Sequence, residues 1–111
     1  MAIEVHRQIG QGLLESAYEQ CLCYELEQGA IAYARQVPLA IVYKTVRLDC
    51  GCRMDIVADE ELLIEVKAVE RLMPIHEAQI LTYLRLSGLK IGLLMNFNSV
   101  VLKDGLRRFV L

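Results

Sequence analysis

No apolar run in this 111-residue chain comes near the roughly 18 residues needed to span a bilayer, although 55% of its residues are hydrophobic and its mean hydropathy is +0.35. The longest stretches, Leu39–Tyr43, Leu62–Ile64 and Ile91–Met95, are broken by charge or glycine within a few residues. Also missing is a basic start followed by an apolar stretch and a cleavage site, so a cytoplasmic protein without membrane contact is expected. Positive charge is scarce. Twelve Lys and Arg face 14 Asp and Glu, for a net charge of −2 and a pI near 5.7. Phosphate contacts supply most non-specific nucleic-acid affinity, so this balance argues against tight, unaided DNA binding. Lys103, Arg107 and Arg108 form a small basic group that reads as a solvated edge. The four cysteines fall as Cys21-x-Cys23 and Cys50-x-Cys52, not the Cys-x2-Cys of zinc knuckles, and two histidines do little to complete a site. Residues two apart on a helix diverge, so Cys21 and Cys23 cannot line one site. Cys50-Gly51-Cys52 falls at a turn where metal binding or oxidation is the alternative, but free thiols in a reducing compartment are expected. Repeats, linkers and low-complexity segments are absent, which leaves one domain over residues 1–111 with a single modest core. The apolar surplus reads as dense packing plus a surface that a second copy covers, hence a homodimer.

What is present is a succession of clear helix and strand patterns. Residues 2–9 read as helix, and Gly10-Gln11-Gly12 interrupts them. From Leu13 to Gln28, the apolar residues Leu14, Ala17, Tyr18, Cys21, Leu22 and Leu26 recur at helical spacing, and Gly29 is a C-terminal stop. Val37–Lys44 is a strand candidate whose Pro38 marks an edge or a beginning. Val46–Leu48 continues toward a turn at Asp49–Cys52. Arg53–Ala58 and Leu62–Ala68 are strands joined by the acidic turn Asp59-Glu60-Glu61. Pro74 opens a helix over Ile75–Ser87 with Ala78, Leu81 and Leu84 on its apolar face, stopped by Gly88. Ile91–Asn96 reads as a fully buried strand and Leu106–Leu111 as a last one. Helix, three strands, helix, one or two strands: this order predicts an α/β fold, a mixed central sheet flanked by helices.

The hairpin carries the chemistry. Strand side chains alternate faces, so Met54, Ile56 and Ala58 share one side and Arg53, Asp55 and Val57 the other. On the second strand Glu65 and Lys67 share a face with Leu63. A turn centred on Glu60 sets Asp55 directly across from Glu65, with β-carbons about 4.5–5.5 Å apart; a slip of one residue would undo this. Two carboxylates so placed repel unless a cation joins them, and a hard divalent cation takes such oxygens with room left for water and phosphate. Lys67 projects from the same face, where an ammonium can orient or deprotonate an attacking water or offset charge developing on phosphate. Metal plus lysine suffices to hydrolyse a phosphodiester. The competing reading is a solvated strand face with ion pairs worth little. The apolar setting of Leu62-Leu63-Ile64 and Val66 favours a site.

Two further features converge on it. Gly12, Glu15 and Tyr18 lie within one arc of the first long helix, from which Glu15 can reach a metal or its water; the alternative is that Glu15 only complements the helix N-terminus. Gln79 and Tyr83, four apart, place an amide and a phenol on one helix face. The pair could hold a water or a nucleic-acid backbone, or Tyr83 could be a half-buried core residue. His76 reads as a surface or capping histidine.

Taken together, Gly12-x-x-Glu15-x-x-Tyr18, Arg53-Met-Asp55, Ile64-Glu65-Val66-Lys67, His76-Glu-Ala-Gln79-Ile-Leu-Thr-Tyr83 and Gly92-Leu-Leu-Met-Asn96-Phe97 resemble, in order, the blocks of the GxxExxY protein family within the PD-(D/E)XK nuclease superfamily. The resemblance spans nearly the whole chain. It implies a restriction-endonuclease-like αβββαβ core. It also implies that Asp55, Glu65 and the Val66 carbonyl are metal ligands, that Lys67 is the catalytic lysine, and that Glu15 is an auxiliary acid. Gln79 and Tyr83 would form a Gln-x3-Tyr pair like that of lambda-exonuclease-type nucleases. Magnesium, or manganese in vitro, would be the metal. Gln11 departs from the family's Gly-Pro-Gly turn, and Cys50-Gly-Cys52 is particular to this chain.

The expectation is therefore a divalent-metal-dependent nuclease that hydrolyses phosphodiester bonds of DNA. The alternative is a non-catalytic nuclease-like module binding nucleic acid or a protein partner, which the acidic pI and scant basic surface favour. A hydrolase of a nucleotide or other small phosphoester is a third reading.

Overall fold

The computed structural model describes residues 1–49 and 51–111; the reading of Cys50 lies outside them. Helix α1 (Ala2–Ile9) leads into α2 (Glu15–Gln28), followed by β1 (Tyr33–Pro38), β2 (Ile41–Tyr43), β3 (Val46–Leu48), β4 (Arg53–Ala58) and β5 (Leu62–Lys67). Then come α3 (Pro74–Ser87), β6 (Ile91–Asn96), a 3-10 turn over Leu102–Gly105, and β7 (Leu106–Val110). The main sheet runs β1-β4-β5-β6-β7. Only β5 and β6 are parallel, joined through α3, and every other neighbouring pair is antiparallel. The fold is the expected α/β one, a mixed five-stranded sheet flanked by helices. Strands β2 and β3 pair with each other as a separate two-stranded arm. Among the described residues no helix is long and apolar enough to cross a membrane.

Each face of the sheet has its own core. Val5 of α1 and Tyr18, Leu22 and Leu26 of α2 pack with Ile56, Ile64, Val66, Met95 and Phe97. Ile80 and Leu84 of α3 pack on the other side with Leu63, Leu94, Met54 and Leu39. Strand β6 is thus covered twice, which is why it reads as a nearly continuous apolar run. Gly92 lets α3 approach: a β-carbon there would meet Ile80 Cδ1 at 3.0 Å and Leu84 Cδ1 at 3.2 Å.

Several expected faces differ. Leu14 is 78% exposed, because it caps α2 in extended backbone (φ −72°, ψ 154°) and so lies outside the helical spacing. The buried stripe of α2 is Tyr18, Glu19, Leu22, Cys23 and Leu26, with an acid inside it. On α3 the buried residues are Ile80 and Leu84, and Ala78 is exposed, since the space above Gly92 selects that stripe. The expected strand Val37–Lys44 divides into β1 and β2. Pro38 has no N–H to continue the ladder, and the next amide, Leu39, donates to the Cys52 carbonyl at 2.9 Å. Finally, β4 changes face at Asp55. Met54 joins the α3-side core, while Ile56 and Ala58 join the α2-side core, although strict alternation puts all three together.

Candidate active site

The hairpin turn holds Asp59 and Glu60 in left-handed backbone (φ 54° and 58°), and it fixes the register Ala58↔Leu62, Val57↔Leu63 and Ile56↔Ile64. Continued by one step, that register sets Asp55 opposite Glu65. The backbone ladder ends there, and the two carboxylates replace carbonyls as acceptors. The Asp55 N–H donates to Glu65 Oε2 at 2.8 Å, and the Val66 N–H donates to Asp55 Oδ2 at 2.8 Å. Each acid is therefore anchored by a backbone amide of the opposite strand, which fixes its orientation and partly stabilises its charge.

That stabilisation is incomplete. Glu65 is 2% exposed, and burial together with the charge of Asp55 pushes its carboxyl up from 4.5 to about 8. Burial also raises Asp55, against the opposing bond from Val66, and the charge of Glu19 adds to the rise. The two carboxyls face each other closely enough that their protons are coupled, and both are held above the usual carboxylate range.

Lys67 follows on β5. Its strand end is held by pairing with Asn96 and by the Phe97 N–H donating to the Lys67 carbonyl at 2.9 Å. The Lys67 ammonium donates to Gln79 Oε1 at 2.9 Å, and Gln79 Nε2 donates to the Tyr83 hydroxyl at 3.3 Å. The helix spacing that puts Gln79 above Tyr83 thereby creates a relay that aims the lysine. Burial raises the Tyr83 phenol above its ordinary value, with the Gln79 bond opposing, so it stays a neutral hydroxyl at the end of the relay.

On the α2 side, Glu15 is exposed and accepts the Ala68 N–H at 3.3 Å, one residue beyond Lys67. Glu19, one turn later, is 4% exposed. It accepts Arg35 Nε at 2.9 Å and Gln36 Nε2 at 2.9 and 3.1 Å, and its charge acts on both Asp55 and Glu65. Sequence reasoning missed Glu19. The signal was available: an acid standing in the stripe of Tyr18, Leu22 and Leu26 is one the fold buries only for a reason. Asn96, part of the Gly92–Phe97 block but given no role by sequence, ties down the chain after Lys67: its buried amide bonds both the Val69 N–H (3.0 Å) and the Val69 carbonyl (2.9 Å). Tyr18, by contrast, works at a distance from the acids. Its hydroxyl donates to the Gly10 carbonyl at 2.6 Å and accepts the Leu13 N–H at 3.2 Å, and its ring stacks on Phe97 at 4.7 Å. It pins the Gly10–Leu13 turn, in which Gly12 adopts φ 101°. His76 accepts the Met73 N–H at 2.9 Å and caps α3.

The donor chemistry suits a hard divalent cation. Asp55 and Glu65 offer oxygens only, Glu65 is buried and Asp55 half-buried, and neither is in a direct ion pair: among the described residues the ion pairs are Arg7–Glu4 and Arg35–Glu19. Two carboxylates leave most of an octahedral shell to water and substrate oxygens, as magnesium prefers. Among the described residues no group of three or more His, Cys, Asp or Glu could hold a metal ion by itself.

One family's sequence model, described as the PD-(D/E)XK nuclease superfamily, matches residues 1–109. No curated protein and no solved structure matches the chain.

Proposed function

Since the chain belongs to the PD-(D/E)XK nuclease superfamily, we propose that it is a divalent-metal-dependent nuclease of the GxxExxY type that hydrolyses phosphodiester bonds of DNA by attack of water. Asp55, Glu65 and the carbonyl of Val66 would hold Mg²⁺ or Mn²⁺, which when bound supplies Lewis-acid polarisation of the phosphate and favours ionised water. Lys67 gives one of its ammonium hydrogens to Gln79. Two remain to donate to a phosphate oxygen or to align the water. Gln79 and Tyr83 hold that ammonium on the side of the acids. Glu15, bonded beside Lys67 at the Ala68 amide, is placed to accept from a water at the edge of the site.

Donors for a polyanion come from two places. The β2–β3 arm, residues 41–48, carries Lys44 and Arg47 and no acid. It grows from the strand ends nearest the acids, and Tyr43 is exposed on it. A polar groove of about 310 Å³ beside the carboxyl end of β5 adds Arg71 and Arg107, although Glu70 and Asp104 line it too, so it brings donors for phosphate without a net positive charge. Against an overall charge of −2, these do not make the protein a strong non-specific binder.

The observation that carries the reading is the crossed anchoring of two carboxylates, Glu65 buried and Asp55 half-buried, beside an amide-held lysine. A hairpin whose outer face was merely solvated would have no use for either device. The test is cleavage of single- and double-stranded DNA with Mg²⁺ or Mn²⁺, comparing wild type with Asp55→Ala, Glu65→Ala and Lys67→Ala. Metal-dependent cleavage lost in all three variants supports the reading. Wild-type activity in all three ends it.

A further inference from the structure

Strand β1 contains a residue whose backbone conformation its own side-chain packing does not require. Gln36 lies in the left-handed region (φ 53°). The other non-glycine residues with positive φ among those described, Ala30, Lys44, Asp59 and Glu60, all fall in turns. Gln36 is inside a strand. A left-handed conformation there is disfavoured for any residue with a β-carbon, and such strain persists only where the surroundings impose it. The side chain is exposed, so no core contact holds it in place.

The place of the strain is informative. Arg35↔Ile56 and Val37↔Met54 bracket Gln36 opposite Asp55. The two strands change face together at this step: Tyr33 and Ile56 lie on the α2-side core, and Val37 and Met54 on the α3-side core. The distortion turns the Gln36 amide toward the acids. Nε2 donates to both oxygens of Glu19, at 2.9 and 3.1 Å, and approaches Asp55 Oδ1 at 3.5 Å. One neutral donor thus bridges an acid of α2 and an acid of β4, two elements that no other hydrogen bond between side chains joins at this point.

We propose that Gln36 is a positioning residue of the acidic centre: its amide clamps Glu19 and Asp55 in a fixed relation, and the strained backbone of β1 exists to deliver that amide. The inference rests on the nuclease reading above, because it assigns the clamp to the orientation of a cation-binding carboxylate. The competing account is purely structural. In it the kink serves only to let β1 and β4 change face, and the identity of the side chain is immaterial.

Gln36→Gly separates the two, since glycine accepts left-handed backbone without strain and has no amide to offer. With the clamp, the Gln36→Gly protein binds Mn²⁺ at least tenfold more weakly than wild type by calorimetry. Its kcat for DNA falls at least tenfold while KM changes little. Gln36→Asn, which tolerates the same backbone and keeps a shorter amide, recovers part of the Mn²⁺ affinity. Gln36→Gly with wild-type affinity and wild-type kcat overturns the clamp and leaves the nuclease reading standing. A wild-type protein that neither binds Mn²⁺ nor cleaves DNA overturns both.

Discussion

Glu65→Gln should stabilise the metal-free protein, and by more the higher the pH. Burial and the charge of Asp55 oppose ionisation of Glu65 and push its carboxyl from its ordinary 4.5 up to about 8 in the folded chain. A carboxyl whose folded value is raised binds more protons folded than unfolded. The stability is therefore intact below pH 4.5 and is lost as pH climbs toward 8. At about 1.4 kcal/mol per pH unit, the interval from 4.5 to about 8 amounts to roughly 5 kcal/mol. That is a large share of the ~5–15 kcal/mol available to a small domain. Glutamine keeps an oxygen to accept the Asp55 N–H that Glu65 Oε2 accepts at 2.8 Å and removes the charge. Urea denaturation in excess chelator at pH 5, 6, 7, 8 and 9 is the assay. Wild type should lose several kcal/mol across the series while Glu65→Gln stays nearly level, so that the two diverge with pH. Saturating Mn²⁺ should restore wild type at pH 8 and leave the variant unmoved. Parallel curves for the two proteins would refute the reasoning, since they would mean that Glu65 ionises without penalty.

The same proton governs metal affinity. A cation must displace it, so the apparent Mn²⁺ affinity of wild type should rise about tenfold per pH unit between pH 6 and 8 and level off above, as read by calorimetry. Gln79→Ala releases the Lys67 ammonium from its 2.9 Å acceptor; kcat should drop about 10–100-fold, in line with the loss of a positioning partner, with KM for DNA nearly unchanged in steady-state assays. Tyr18→Phe removes the bonds to Gly10 and Leu13 and should lower stability by about 1–3 kcal/mol in denaturant titration while cleavage at a permissive temperature persists, because the tyrosine holds a turn and not a reactant.

The hairpin could be read from sequence because its determinants are local. Period-two alternation and the acidic turn set the register that puts Asp55 across from Glu65, and helix spacing set Gln79 over Tyr83. What escaped depends on contacts between distant segments. Nothing in Gln36 signals left-handed backbone, since a glycine or asparagine is the usual mark, so the change of face in β4 was invisible and Met54 was assigned to the wrong side. Of two acids one turn apart on α2, the exposed Glu15 is marked by its motif, while Glu19, buried among apolar neighbours, belongs to no motif and is marked only by its place in the apolar stripe. The polar sequence of β1, mostly exposed, concealed an edge strand. The stripe of α3 is chosen by Gly92 on another element, which no periodicity within the helix reveals.

Anomalous diffraction from a crystal soaked in Mn²⁺ at pH 8 tests the central claim most directly. A single strong peak bonded by the carboxylates of both Asp55 and Glu65, with Lys67 still held by Gln79, is the expected result. A peak on only one of the two acids or away from both, or no peak at a concentration that saturates binding in solution, would contradict it.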